Sequence, residues 1–320
     1  MNIPKYWEKK EVTFHIDGKE AFCNIWGYSD GNMEAARRMI EEKIPQVEEA
    51  IRRRWDSEDG EYYTGYKGEY YTVDVIREQR LEEISQDSDE IAVITRNSYG
   101  AKIINCPEVM FVDIDTDEEP WFTIQASEGC LGVIFGMTKE PNQPEEDPAD
   151  PPAAPELSKA KIEALARVKS YVDSNPGTGF RIYETTLGLR LIATNQVYDP
   201  AGDATMEVLQ DLNCDELYLR LCRVQKCFRA RLTPKPWRIG HMRPPAGNRK
   251  PNNPSNPRSP EPAKDPEYIR WLESYEARSD SYQACHFMEK IGMEAPEPAI
   301  REVVRVHDAN CGVTGDLQLR

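Results

Sequence analysis

The sequence lacks the long apolar run that a membrane-spanning helix requires. Nowhere in its 320 residues do about eighteen apolar residues follow one another. The opening residues, MNIPKYWEKKEVTF, also lack the apolar core of a signal peptide. We therefore expect a cytoplasmic protein that has no membrane partner.

Motifs of several common enzyme classes are missing as well. The chain contains no Walker-type phosphate loop, no GxGxxG fingerprint and no nucleophile elbow, which argues against the commonest ATPases, dehydrogenases and hydrolases. The four histidines form no recognisable cluster in the sequence: His15, His241, His286 and His307. For the pair His307-Asp308, a surface hydrogen bond is favoured over a catalytic base.

CxxC spacing is absent from the cysteines that lie nearest one another. The chain has eight cysteines, and their scatter over its length does not resemble a secreted disulfide framework. We interpret Cys214, Cys222 and Cys227 as buried thiols rather than metal ligands.

Positive charge is scarce overall but concentrated in one stretch. The formal net charge is −16, yet seven basic residues fall close together: Arg220, Arg223, Lys226, Arg229, Arg231, Lys235 and Arg238. Apolar residues alternate with them, so the stretch is expected to fold. A folded basic surface in an acidic protein predicts an anionic partner, namely a phosphate, a nucleotide or a nucleic acid (DNA or RNA).

Composition and hydrophobic periodicity divide the chain into four parts. These are an N-terminal α/β module (1–88), a main body (89–240), a linker (241–266) and a C-terminal helical extension (267–320). An acidic, proline-rich insertion at about 137–156 interrupts the main body.

Helices are predicted near both ends of the chain. After two strands around the turn Asp17-Gly18, a helix is expected over 33–54, with Asn32 as its cap and Pro45 kinking or dividing it. A short helix is expected over 73–84. The pattern after the linker predicts one helix over 266–291.

The main body predicts an α+β fold. When the strands expected at 121–125 and 131–135 are set aside, the order from Val109 is strand, helix, strand, strand, helix, strand. This βαββαβ order is that of the ferredoxin-like, or RRM-like, unit, in which the last strand (228–232) lies beside the first (109–115). The fold hosts RNA-binding modules, small-molecule sensors and polymerase palms, so it leaves the function open.

The first candidate site is the pair Asp113 and Asp115. The period of two in a strand places both carboxylates on one face, at the strand's end. Mg²⁺ or Mn²⁺ prefers such oxygen ligands, and in two-metal phosphoryl transfer the ions activate the attacking hydroxyl and stabilise the leaving pyrophosphate. A solvated strand edge is the alternative, since the motif alone is weakly specific.

The second candidate is a predicted hairpin with two arginines. Arg190 lies between Leu189 and Leu191, so it is expected to point to the wetter face of its strand, across the sheet from Asp113. There it could neutralise carboxylates or hold a triphosphate, and Arg181 on the partner strand is a further phosphate-binding candidate. A structural ion pair is the alternative.

The third candidate is the end of the basic stretch. Arg229 and Arg231 alternate on the last strand, which the βαββαβ unit places near the aspartates. Lys235, Trp237 and Arg238 follow, and a flat aromatic ring with two cations suits base stacking and phosphate binding. A solvated strand face with a packed tryptophan is the alternative.

These residues together resemble the archaeo-eukaryotic primase superfamily, which includes primase-polymerases. The segment FVDID (111–115) is similar to the DxD motif of its first palm strand. TLGLR (186–190) is similar to its small-x-His motif, with Arg190 where the histidine is expected. No third acidic motif is evident, because the remaining candidates lie on loops or helix starts: Asp199, Asp203 and Asp215. The resemblance covers about residues 90–235.

The resemblance implies a metal-dependent nucleotidyltransferase or an inactive relative of one. It implies Asp113 and Asp115 as metal ligands, phosphate binding by Arg190, Arg229 and Arg231, and substrate contacts by Lys235 and Trp237. A noncatalytic nucleic-acid-binding or regulatory protein and a metal-dependent nuclease remain alternatives. The segments AVITRNSYG and CFRARLTPKPWR are also similar to segments of uncharacterised bacterial proteins, which implies no function.

Overall fold

The computed structural model describes residues 1–56, 74–116, 157–245, 260, 262, 264–315 and 317–320. These residues form a mixed α+β fold with six α-helices and several antiparallel sheets. The strands expected at 121–125 and 131–135, the insertion at 137–156 and much of the linker lie outside the described residues. In the part that is described, no helix combines the length and apolar character needed to cross a membrane.

A long antiparallel hairpin opens the chain. β1 (Tyr6–Ile16) pairs along its whole length with β2 (Lys19–Ser29). Asp17 and Gly18 between them both have positive φ, at 49° and 77°. The type I′ turn of a two-residue hairpin requires positive φ at both positions, so the predicted turn is confirmed.

One long helix, α1 (Met33–Asp56), packs on this hairpin. Asn32 caps it as predicted, because its Oδ1 accepts a hydrogen bond from the backbone N–H of Ala35 at 2.9 Å. The helix continues through Pro45, so the predicted division is wrong. Apolar residues on both sides of the proline pack on the same core, which stabilises both halves as helix.

The first of two four-stranded sheets has the strand order β3-β4-β5-β9 and is antiparallel throughout. Its strands are β3 (Gln79–Gln86), β4 (Asp89–Arg96), β5 (Lys102–Cys106) and β9 (Phe228–Arg231). The helix predicted over 73–84 is wrong for its described residues, because β3 pairs with β4. The sequence QRLEEISQ favours helix locally, but cross-strand pairing outweighs that preference.

The second four-stranded sheet has the order β11-β7-β8-β6 and is also antiparallel throughout. Its strands are β6 (Phe111–Asp115), β7 (Gly179–Thr185), β8 (Gly188–Ala193) and β11 (His286–Gly292). The prediction that 228–232 lies beside 109–115 is wrong, because β9 pairs with β5 of the first sheet. In that pairing Ala230 lies opposite Ile104, and both are buried in the main core.

Five further helices connect and cover the sheets. They are α2 (Lys159–Ser174), α3 (Asp203–Asp211), α4 (Glu216–Gln225), α5 (Pro266–Ser279) and α6 (Pro298–Cys311), with a 3₁₀ helix at Pro236–Ile239. A single large core contains residues of both four-stranded sheets and of α6. The sheets and α6 therefore form one packed unit.

The C-terminal region contains strands as well as helices. The helix predicted over 266–291 is wrong beyond Ser279, where β10 (Tyr282–Gln283) and then β11 follow. β11 pairs with β7, and β10 pairs in parallel with β12 (Gln318–Leu319). Pairing with the open edge of β7 determines the structure here, so this region completes the second sheet and is not a purely helical extension.

Candidate functional site

One face of the second sheet carries a row of polar side chains. Asp113 of β6 lies directly opposite Arg190 of β8, and Arg190 lies directly opposite Tyr183 of β7. Directly opposed residues project from the same face, so Arg190 lies across the sheet from Asp113 as predicted. Asp115 follows at the exposed end of β6, on the same face as Asp113.

Arg190 is buried, so its predicted position on the wetter face is wrong. It is 4% exposed, and every residue of β8 is buried. The helix α6 covers this face, since the ring of His307 lies 4.8 Å from that of Tyr183. Arg190 Nη1 donates to the carbonyl oxygen of Arg231 at 2.7 Å, which links the second sheet to β9 of the first.

A third carboxylate, Asp215, joins the two on β6. Its backbone N–H donates to the carbonyl oxygen of Asp113 at 3.0 Å. Its Oδ1 caps α4 by accepting a hydrogen bond from the N–H of Tyr218 at 2.7 Å. The sequence marks Asp215 only as a residue at a helix start, and no local signal shows that this start meets β6.

The two neighbouring carboxylates influence the ionisation of Asp115. Partial burial and the charges of Asp113 and Asp215 raise the pKa of Asp115 from 3.8 to about 6. The cations of Lys235 and Arg231 lower this pKa, but by less. The two neighbouring carboxylates therefore affect Asp115 more than these two cations do, and a divalent cation would offset their repulsion.

Asp115→Asn is expected to stabilise the protein at neutral pH but not in acid. Because the pKa is raised in the folded state, stability is lost as the pH rises from 3.8 to about 6. Uncharged asparagine avoids this loss, so the variant should unfold at a higher temperature than the wild type above about pH 7 and at the same temperature below about pH 4. Thermal unfolding across this range is the measurement, and a difference that persists in acid would contradict the explanation.

The end of β9 and the residues after it supply positive charge to this site. Arg231 and Lys235 both lie near enough to Asp115 to lower its pKa. Arg231 also fixes the position of Arg190 through its carbonyl oxygen. Of the basic residues predicted to bind phosphate, these two lie near Asp115 and Arg190 lies opposite Asp113.

Trp237 lies among basic and aromatic side chains. The Nζ of Lys235 is 5.6 Å from its ring centroid, and the guanidinium carbon of Arg243 is 4.5 Å from it. The ring of Tyr99 contacts its edge, with centroids 5.4 Å apart. Arg238 belongs to the same 3₁₀ helix. The predicted aromatic ring therefore has one of its two predicted cations, Lys235, beside it, together with Arg243, which was not predicted.

Two predicted phosphate-binding arginines are engaged elsewhere. Arg229 Nη2 pairs with Glu78 at 2.6 Å, and Arg181 Nη2 pairs with Asp308 at 2.7 Å. For Arg181 this matches the alternative of a structural ion pair. For Arg229 the alternative of a solvated strand face is wrong, because its side chain is paired with Glu78 and only 11% exposed. Arg229 was predicted to lie near the aspartates of β6. It pairs instead with Glu78, just before β3, because β9 belongs to the first sheet.

A second polar cluster lies beneath α6, where we expected a surface hydrogen bond for His307-Asp308. His307 is fully buried, with Nδ1 3.0 Å from Asp308 Oδ1 and Nε2 3.7 Å from Cys285 Sγ. Cys311, one turn later on α6, completes a group whose ligand atoms all lie within 4.8 Å of one another. The surface position is therefore wrong, because α6 buries this pair against the sheet.

The side chains of this cluster are coupled electrostatically. Burial raises the pKa of the Cys285 thiol, but the hydrogen bond with Cys311 and the neighbouring His307 lower it more, so it lies well below its usual value. Burial lowers the pKa of His307, yet the charge of Cys285 and the hydrogen bond to Asp308 leave it raised.

Cys214, Cys222 and Cys227 are buried free thiols, as predicted. Burial raises the pKa of each of these three thiols. Sequence reasoning missed the cluster beneath α6. His307 and Cys311, four residues apart, do show the spacing of one helix face, but nothing in the sequence connects them to Cys285.

A comparison of the chain with models of protein families, with curated proteins and with solved structures found no match. The residues of the two clusters are therefore the basis for any functional conclusion.

Proposed function

We propose that this protein is a metal-dependent nucleotidyltransferase of the primase-polymerase type, acting on nucleotides and a DNA or RNA strand. The main support is the convergence of Asp113, Asp115 and Asp215 beside Arg231 and Lys235. Carboxylates next to cations suit a metal-bound triphosphate, because the carboxylates bind the metal while the cations bind phosphate oxygens.

Asp113 and Asp115 would bind Mg²⁺ or Mn²⁺. These hard cations prefer oxygen ligands, and a bound ion would offset the repulsion from Asp113 and Asp215, which adds to burial in raising the pKa of Asp115. A bound ion would supply activation of the attacking hydroxyl and stabilisation of the leaving pyrophosphate. Lys235 and Arg231 would orient the phosphates, while Arg190 holds its position opposite Asp113.

The order of the strands supports a ferredoxin-like palm in part. With β6 as the first strand, the neighbours β7-β8-β6 match strands two, three and one of that unit. β9 departs from the pattern by pairing with β5. The hydrogen bond from Arg190 to Arg231 nevertheless keeps the basic end of β9 close to the second sheet.

A second candidate is a noncatalytic protein that binds nucleotides or nucleic acid at the same place. It is favoured by Trp237 with Lys235 and Arg243 beside its ring, since stacking and phosphate contacts need no metal. It is also favoured by the buried Arg190, which stands where the resemblance expects a nucleotide-binding histidine. Such a protein should bind with salt-dependent and metal-independent affinity.

The double variant Asp113→Asn, Asp115→Asn is expected to lose Mn²⁺-dependent or Mg²⁺-dependent nucleotide incorporation by at least about 100-fold, because metal stabilisation of the transition state is worth several kcal/mol. The measurement is extension or new synthesis on labelled single-stranded DNA and RNA, with and without added nucleotides and divalent metal. Loss of labelled strand without nucleotides would instead indicate the nuclease.

The matched control is Asp87→Asn, Asp89→Asn, which removes an exposed aspartate pair of the same spacing at the β3–β4 turn. The positive φ of Asp87 (49°) suits asparagine equally well. Its activity should equal that of the wild type. Full activity in the Asp113, Asp115 variant would refute the catalytic proposal, and metal-independent binding with no turnover would favour the second candidate.

A further inference from the structure

Three potential metal ligands meet in the interior beneath α6, in a cluster that the proposed function does not use. Cys285 immediately precedes β11, whereas His307 and Cys311 lie one turn apart on α6. Their exposed fractions are 0%, 0% and 2%. Among the described residues, they are the group of histidine, cysteine and carboxylate side chains compact enough to share one ion.

We propose that Cys285, His307 and Cys311 bind one zinc ion. The Cys285 Sγ–His307 Nε2 separation is 3.7 Å, and all three ligand atoms lie within 4.8 Å of one another. In a tetrahedral zinc site the bonds are about 2.3 Å to sulfur and about 2.0–2.1 Å to nitrogen. A sulfur and a nitrogen bound to one such ion lie at a separation similar to that of Cys285 Sγ and His307 Nε2. Little movement is therefore needed to close the site.

The ligand types select zinc over the ions of the proposed function. Two cysteine sulfurs and an imidazole form a soft to borderline donor set, whereas Mg²⁺ and Mn²⁺ prefer the oxygen ligands on β6. Three protein ligands leave the fourth position of the tetrahedron for a water molecule. The two sites therefore differ in donors as well as in place.

His307 has the hydrogen-bond partners that orient a metal-binding histidine. Asp308 Oδ1 lies 3.0 Å from Nδ1 of His307, which leaves Nε2 to face the two sulfurs. Asp308 is itself held by Tyr183, whose hydroxyl donates to Oδ1 at 2.7 Å, and by Arg181, which pairs with Oδ2 at 2.7 Å. The imidazole is thus fixed in the orientation that binding requires.

A zinc ion would balance the charge of two thiolates at this place. Zinc with two thiolates and a neutral imidazole carries no net charge, so the neighbouring Arg190 would not be repelled. Zinc would connect α6 to the segment before β11, and binding energy at such a site contributes directly to folding stability.

Metal analysis of the full chain, purified under reducing conditions and supplied with zinc, tests the proposal. We expect about one zinc per chain in the wild type and loss of bound zinc in Cys285→Ser, His307→Gln and Cys311→Ser. Cys106→Ser is the matched control, because Cys106 is equally buried but its sulfur contacts the carbonyl oxygen of Val109. It should keep its zinc.

A gentler variant covers the case in which loss of a ligand prevents folding. Asp308→Asn keeps all three ligands and is expected to weaken zinc binding about 10-fold to 100-fold, as measured by competition with a chromophoric chelator. Cobalt substitution of the wild type should give thiolate-to-metal charge-transfer absorption. Retention of full zinc affinity by Cys285→Ser, or a Cys285–Cys311 disulfide in the zinc-supplied protein, would overturn the proposal.

The outcome is separable from that of the proposed function. The variant Asp113→Asn, Asp115→Asn should bind zinc like the wild type, because its substitutions leave the three ligands in place. Loss of zinc in that variant would overturn the assignment of zinc to the cluster beneath α6.

Discussion

Glu78→Gln is expected to lower the free energy of unfolding by about 3–5 kcal/mol, because it removes the negative charge of a buried ion pair. Glu78 is 3% exposed; its Oε2 accepts hydrogen bonds from Arg229 Nη2 and from the hydroxyl of Thr95, both at 2.6 Å. Thr95 Oγ1 in turn accepts from the amide of Asn105 at 2.9 Å. The network joins β4, β5 and β9 to the residue that precedes β3, so the packing of these three strands depends on it.

The effect of Glu78→Gln is measured by chemical denaturation, as a shift of the midpoint without a change in the m-value. The matched control is Glu83→Gln, five residues later. Glu83 is 44% exposed and pairs with Lys5 at 2.9 Å, so its loss should cost less than about 1 kcal/mol. Equal losses in the two variants would show that burial of the Glu78–Arg229 pair is unimportant.

Arg190→Met is expected to cost a similar 3–5 kcal/mol, about the effect of removing one partner from a buried charge cluster. Burial lowers the pKa of Arg190, but neighbouring groups, chiefly Cys285 and Asp113, raise it by more in total. The pKa therefore lies above its ordinary value and the guanidinium stays charged. Methionine fills the space but neither donates to the Arg231 carbonyl oxygen nor balances Asp113. The loss of this hydrogen bond should weaken the contact between the two sheets.

Two further variants separate charge from position. Arg220→Met removes an exposed arginine on α4 and should change stability by less than about 0.5 kcal/mol. Arg190→Lys keeps the charge but loses the planar guanidinium, so it should recover part of the loss. If Arg190→Met unfolded at the same denaturant concentration as Arg220→Met, the role assigned to Arg190 would be wrong.

Features set by neighbouring residues could be predicted from the sequence. The turn at Asp17-Gly18 needs only residues that tolerate positive φ, and the cap at Asn32 needs only a side chain that reaches the next turn. The shared face of Asp113 and Asp115 follows from the period of two in a strand. These signals are local, so no knowledge of the rest of the fold is required.

Features set by distant residues could not be predicted in this way. The position of Arg190 between two leucines predicts exposure only if the face of the sheet opposite the leucines is open to solvent. The helix α6 covers that face. Asp215 reaches the site through a hydrogen bond to Asp113. Cys285 meets His307 only because β11 pairs with β7. Strand pairing and helix packing over long sequence separations decide these positions.

The pairing of β7 with β11 also determines when the protein can complete its folding. During synthesis β7 and β8 leave the ribosome long before residues 286–292 exist. Until then β7 has an unpaired edge, and such edges are templates for association with other chains. β6, β7 and β8 can pair before then, but the second sheet is completed only when β11 has been synthesised.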